Sequence, residues 1–166
     1  EAFYVATSGR PGPVVIDLPK DVLISLGLYT PPDKVAHKSY VPQIKGDAKA
    51  IKKAVAMLAG AKKPIFYCGG GVINSGPKAS ELLTQLVRTT GYPCTLTLMG
   101  LGAFPASDPQ FLGMLGMHGT YEANLAMHDC DVMVCVGARF DDRITGLLSE
   151  FSPNSKKIHI DIDPSS

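Results

Sequence analysis

The chain has 166 residues, 45% of them hydrophobic, enough apolar material for one domain and a flanking piece. Its 16 basic and 15 acidic side chains are dispersed along the sequence, which leaves no electrostatic footprint for nucleic acid or an anionic membrane. No apolar run is long enough to span a bilayer, and the opening "EAFYVATSGRPG" has neither a basic n-region nor an apolar h-region, so a cytoplasmic location is expected.

Residues 1–22 predict the end of a helix, a turn at "SGRPGP" and an apolar strand at "VVIDLP". They read as the tail of a domain, so the chain is expected to be a piece of something longer. Residues 23–46 include "LYTPPDKVAHKSYVPQ", proline-rich and unperiodic, which fits an interdomain linker. From residue 47 to 166 helix and strand patterns alternate. "DAKAIKKAVAMLAGAKK" has helical spacing with Asp47 as N-cap, "PIFYCGGG" is a strand ending in glycines, and "GPKASELLTQLVRTTG" is a helix with Pro77 in its first turn and Gly91 after its end. "YPCTLTLMG" is the next strand, "TYEANLAMHDC" a short helix, and "DVMVCVG" and "KKIHIDIDP" two further strands. Short apolar strands alternating with helices predict an α/β fold: a doubly wound, mostly parallel sheet flanked by helices.

Cys68, Cys94, Cys130 and Cys135 form no C-x-x-C pair, and two of them sit in strand-like runs, so buried free thiols are expected. His37, His118, His128 and His159 lack metal-ligand spacing, and no metal site is assigned.

Ligands of open α/β sheets bind at the carboxyl ends of the strands, so the residues there are the candidates for function. In "YCGGGVINSG", Gly69, Gly70 and Gly71 could let backbone approach a phosphate, although a tight strand-to-helix turn wants glycine too. A dinucleotide fingerprint is incomplete, since Asn74 stands where a third glycine belongs and "TLTL" ends without an acid for a ribose. The other strand ends deliver Thr97, Leu98 and Met99; Met117, His118 and Gly119; Gly137, Ala138 and Arg139; and Asp161, Ile162 and Asp163. Asp161 could accept from a ribose or adenine, and Arg139 and Arg143 could meet a pyrophosphate with two hydrogen bonds each. Together they predict a dinucleotide crevice.

The blocks "ATSGRPGPVVIDLPKDV", "GGGV", "TLMGLGAFP", "LGMLGMHGTYEANLAMHDCDVMVCVGARFDDRITG" and "IHIDIDP", in this order, resemble the catalytic subunits of the acetolactate synthase (acetohydroxyacid synthase) family, thiamine diphosphate enzymes of branched-chain amino-acid biosynthesis. The resemblance covers the entire chain. It implies that residues 1–22 end the thiamine-pyrimidine domain, 23–46 are the linker, and 47–166 are most of a Rossmann-like middle domain that binds FAD. It places Arg10, Gly69, Gly70, Thr97, Leu98, Met117, His118, Gly137, Ala138, Arg139, Asp141, Arg143, Ile144, Asp161 and Ile162 near that cofactor. Lys20, Asp142 and Arg143 match positions lining the family's substrate channel. The parent is expected to use thiamine diphosphate and Mg2+ at sites outside this chain, to act on small 2-oxoacids, and to form a homo-oligomer with a regulatory subunit. The family's catalytic glutamate and its Gly-Asp-Gly metal signature have no counterpart here, since Glu1 cannot be the former and the only Gly-Asp is Gly46-Asp47. The fragment alone is therefore expected to be inactive, with no catalytic residue assigned. The alternatives are a flavin- or nicotinamide-dependent oxidoreductase of similar fold, the related glyoxylate carboligase, or an interaction module with an empty crevice.

Overall fold

Asp47 starts the main folded unit by capping a helix: its carboxylate accepts from the Ala50 amide at 2.7 Å, satisfying one of the donors a helix start leaves open. The computed structural model describes residues 1–35, 37 and 39–163. It divides into a first unit, Glu1–Lys45, and a second that runs from Gly46.

In the first unit the described residues form two short helices, α1 (Ala2–Thr7) and α2 (Lys20–Ile24). The turn after α1 is held by the Tyr40 hydroxyl, which donates to the Ser8 carbonyl at 3.0 Å. The apolar strand expected at residues 14–19 does not form. That segment has no ladder partner among the described residues and Val15 is 93% exposed; apolar sequence without a neighbouring strand leaves backbone donors to water. Helix α2 crosses residue 22, and residues 25–35 contain neither helix nor strand.

The second unit runs α3 (Ala48–Ala59), β1 (Pro64–Cys68), α4 (Gly70–Asn74), α5 (Pro77–Thr90), β2 (Cys94–Leu96), β3 (Phe111–Met114), α6 (Tyr121–Asp129), β4 (Val132–Val136), α7 (Asp142–Thr145) and β5 (Lys156–Ile160). Pro77 opens α5 and Gly91, at φ 74°, closes it in the left-handed conformation glycine adopts without strain. The five strands form one sheet in the order β3-β2-β1-β4-β5, every neighbouring pair parallel. Parallel pairing sends all five carboxyl ends to one edge.

Alternation along the strands splits the core into two layers, which is why the strands are apolar on both faces. Phe66, Cys68, Val132 and Val134 pack with Leu83 and Val87 of α5 and Met57 and Leu58 of α3. Ile65, Tyr67, Met133 and Cys135 pack with Ala123 and Met127 of α6 on the other face. Helices on both faces make the sheet doubly wound, and each large side chain buried at its centre contributes on the order of 1.5–3 kcal/mol. At the amino edge the Lys62 and Lys63 amides donate to the Asp131 carboxylate at 2.7 and 2.9 Å, aligning the starts of β1 and β4. All four cysteines are buried free thiols. Among the described residues no helix is long and apolar enough to cross a membrane, and no group of three or more His, Cys, Asp or Glu could hold a metal ion.

Candidate functional site at the carboxyl edge of the sheet

Strand order reverses at β1, which leads by helices to β2 on one side and later receives β4 on the other. Ligands of doubly wound sheets bind outside the carboxyl ends at such a reversal. Here those ends are the glycine loop after β1 and the "GARFDDR" loop after β4.

The two loops interlock through backbone. Gly69 donates to the Val136 carbonyl and Gly71 to the Gly137 carbonyl, each at 2.9 Å, while Gly137 donates to Ile160 at 2.8 Å. A side chain at Gly69 would stand 2.5 Å from the Gly137 oxygen, and one at Gly71 would stand 2.7 Å from the Gly137 Cα. The glycines at 69 and 71 are thus required by loop-to-loop contact. Gly70 is less constrained, its Cβ position lying 3.2 Å from the Met99 side chain.

Past β4 the chain turns back over the sheet. Ala138 is buried, and the Tyr67 hydroxyl donates to the Arg139 carbonyl at 2.8 Å. The Arg139 guanidinium pairs with the Asp141 carboxylate instead of standing free, and its side chain remains 59% exposed. Asp141 caps α7 by accepting from the Arg143 amide at 3.0 Å. That hydrogen bond, contact with the Asp142 side chain and the charges of Arg139 and Arg143 hold its carboxyl below the usual range. Asp142 is exposed in the first turn of α7.

Arg143 links this loop to the end of β3. Its carbonyl accepts from the Met117 amide at 2.9 Å, and its guanidinium lies 3.9 Å from the Met117 sulfur. Ile144 and the Arg143 carbonyl occupy the space a side chain at Gly116 would need. Asn124 fixes the same loop, its amide bonding both the N–H and the carbonyl of Gly116 at 2.9 and 3.0 Å. His118 is exposed beside Met117.

Of the remaining residues, Thr97 accepts from the Gly100 amide at 3.1 Å and its own amide donates to Cys68, which sets Leu98 and Met99 exposed beside the glycine loop. Asp161 accepts from the Asp163 amide at 2.9 Å, with Ile162 at the surface between them. Its other oxygen lies 3.8 Å from His159 Nε2. Arg10 and Lys20 lie in the first unit, both exposed. The residues that sequence reasoning missed are Tyr67, Asn124 and His159; strand register would have pointed to Tyr67 and His159, whereas Asn124 lies on α6 and is found only through its hydrogen bonds to Gly116.

The loops at the carboxyl edge therefore carry two exposed guanidiniums, Arg139 and Arg143, the second against Met117, and three exposed apolar side chains: Leu98, Met99 and Met117 are 67%, 77% and 64% exposed. Cationic donors and exposed apolar side chains along one edge suit an anionic dinucleotide with aromatic rings.

Residues 51–166 match the family model described as thiamine pyrophosphate enzyme, central domain. The whole chain is 52% identical to the acetolactate synthase large subunit of Haemophilus influenzae and 51% identical to the acetolactate synthase isozyme 3 large subunit of Escherichia coli. Over 98% of its length it is 50% identical to the probable acetolactate synthase large subunit of Methanocaldococcus jannaschii. It spans 29% of the first two proteins and 28% of the third. The chain belongs to the thiamine pyrophosphate enzyme family and holds its central domain.

Proposed function

We propose that this chain is the FAD-binding middle segment of an acetolactate synthase catalytic subunit. The whole protein uses thiamine diphosphate and Mg2+ to decarboxylate pyruvate and joins the two-carbon unit to a second 2-oxoacid, as a cytoplasmic homo-oligomer with a regulatory subunit. The observation that carries the cofactor reading is the carboxyl edge, where the exposed Arg143 guanidinium lies 3.9 Å from the Met117 sulfur and the loops after the other strands carry exposed Arg139, Leu98 and Met99. Arg143 and Arg139 bind the pyrophosphate, the second by sharing or leaving Asp141. Asp161 accepts from the ribose or adenine, and the apolar side chains cover the rings. Bound FAD supplies no net redox chemistry in this reading and serves as a structural group. The same assignment, made for the whole protein, takes Arg10 as a cofactor contact and Lys20 and Asp142 as substrate-channel residues.

Titration of FAD by fluorescence quenching tests the reading. Arg143→Ala removes a charge-assisted donor and weakens affinity by roughly tenfold or more. Asp142→Ala weakens it less, since that carboxylate faces away from the phosphates in this assignment. Equal affinity in the unsubstituted chain and both variants refutes the site.

A further inference from the structure

The sheet register places Tyr67 of β1 opposite Cys135 of β4, and Cys135 opposite His159 of β5. The three form one row across three adjacent strands, and the side chains of all three reach the loop that folds back over the sheet. Cys135 Sγ donates to the Ala138 carbonyl at 2.9 Å, His159 Nε2 meets the same oxygen at 2.9 Å, and the Tyr67 hydroxyl donates to the next carbonyl, Arg139, at 2.8 Å. A carbonyl oxygen only accepts, so His159 carries its proton on Nε2. Both lone pairs of the Ala138 oxygen are thereby used.

We propose that Tyr67, Cys135 and His159 act together as a positioning row for Arg139 and Arg143, drawing two successive carbonyls down onto the sheet so that the turn presents guanidiniums at its outer edge. The inference rests on the cofactor reading above for its functional consequence. Its physical basis is electrostatic: a carbonyl oxygen directed at a phosphate repels it, and three donors on the sheet side take those two oxygens out of competition with the ligand. The hold is transmitted outward. Asp141 pairs with Arg139 and accepts from the Arg143 amide, and the Arg143 carbonyl accepts from Met117, so the row also sets the loop after β3. The Phe140 ring packs against both outer members, its centroid 5.8 Å from that of Tyr67 and 5.3 Å from that of His159. Burial pushes the Cys135 thiol up to about 12 and raises the Tyr67 phenol well above its ordinary value, so both keep the proton they donate.

Two readouts test the row on the chain as it stands. Without ligand, amide hydrogen exchange at Met117, Arg143 and Ile144 accelerates in Tyr67→Phe and in His159→Leu, while core amides of β1 and β4 keep their protection. With FAD, the same two variants bind roughly five- to tenfold more weakly, the loss of about one hydrogen bond of ordinary strength. His159→Gln, which offers an N–H close to the position of Nε2, restores both readouts, whereas a residue that merely filled space would be replaced as well by leucine. Unchanged exchange at Met117 and Arg143 in both loss variants overturns the row. Faster exchange with unchanged FAD affinity overturns its role toward the guanidiniums. Failure of the unsubstituted chain to bind FAD sinks the cofactor reading instead, and the exchange data then still decide whether the row holds the loop.

Discussion

The amide of Gly71 donates to the carbonyl of Gly137 at 2.9 Å, so the loop after β1 and the loop after β4 are joined by backbone at the point where strand order reverses. The contact leaves no space for a side chain on either partner. A Cβ on Gly71 would meet the Gly137 Cα at 2.7 Å, and a Cβ on Gly137 would meet the Gly71 Cα at the same distance, with backbone at φ 57° besides.

Gly71→Ala therefore costs stability of about 1–3 kcal/mol, because backbone cannot swing aside as a flexible side chain can. Gly27→Ala, where nothing lies within 4 Å, is the control and leaves the urea midpoint in place. Equal midpoints for the two variants would contradict the interlock.

Thiol reactivity follows from burial. Cys68, Cys94, Cys130 and Cys135 are all buried, and burial raises the thiols of Cys135 and Cys130 above their ordinary value. The thiol of Cys68 is raised as well, first by its hydrogen bond with Cys94 and then by burial. In the native chain at mildly alkaline pH none reacts rapidly with an aromatic disulfide reagent, and all four react once the chain is unfolded in guanidinium. A rapid native phase equal to one thiol would show that one of these positions opens to solvent.

Acid lability has a defined sign. Backbone amides hold the carboxyls of Asp108, Asp131 and Asp141 below the value of 3.8 that an ordinary aspartate has, led by Gln110 for the first, Lys62 for the second and Arg143 for the third. A folded-state value below the unfolded one means that the contribution is complete above the unfolded value and is lost as pH falls through the folded one. Stability thus declines from about pH 4 downward. Asp131→Asn lowers stability near neutrality and makes that decline shallower, which urea midpoints across the acid range measure. A slope identical to that of the unsubstituted chain would falsify the assignment for Asp131.

Salt separates the two guanidiniums from a generic charge effect. Arg139 already pairs with Asp141, so at low ionic strength the carboxylate competes with a phosphate for it. Added salt screens both interactions, and FAD affinity falls less steeply than for a pair of free surface arginines. In Asp141→Asn the salt dependence steepens; a flat profile in both chains refutes phosphate binding by Arg139.

The helices were readable because their ends are written locally. Asp47 before an apolar period and Pro77 with Gly91 around another each act within four residues, and the structure uses all three as expected. The convergence of strand ends was also readable, since parallel pairing follows from alternating helix and strand. Residues 14–19 show the opposite case: their apolar run has the composition of a strand, but a strand exists only by pairing, and composition does not supply a partner. The glycine loop was half readable. Glycine was needed there, yet at 69 and 71 the neighbour that demands it is Gly137, more than sixty positions away. The pairing of Arg139 with Asp141 and the row of Tyr67, Cys135 and His159 depend on register and side-chain direction, which no one-dimensional pattern encodes.

The central place of β1 has a kinetic consequence. Ile65 pairs with Met133, 68 residues further along the chain, so the strand in the middle of the sheet acquires its second neighbour late. A chain leaving the ribosome holds β1, β2 and β3 with one flank of β1 bare until β4 has emerged. Closing so long a loop costs entropy before the pairing repays it, which places this fold among the slower ones for its size. Until then the exposed flank, "PIFYC", is an apolar edge with unpaired backbone groups, and it is the segment most in need of shielding during synthesis.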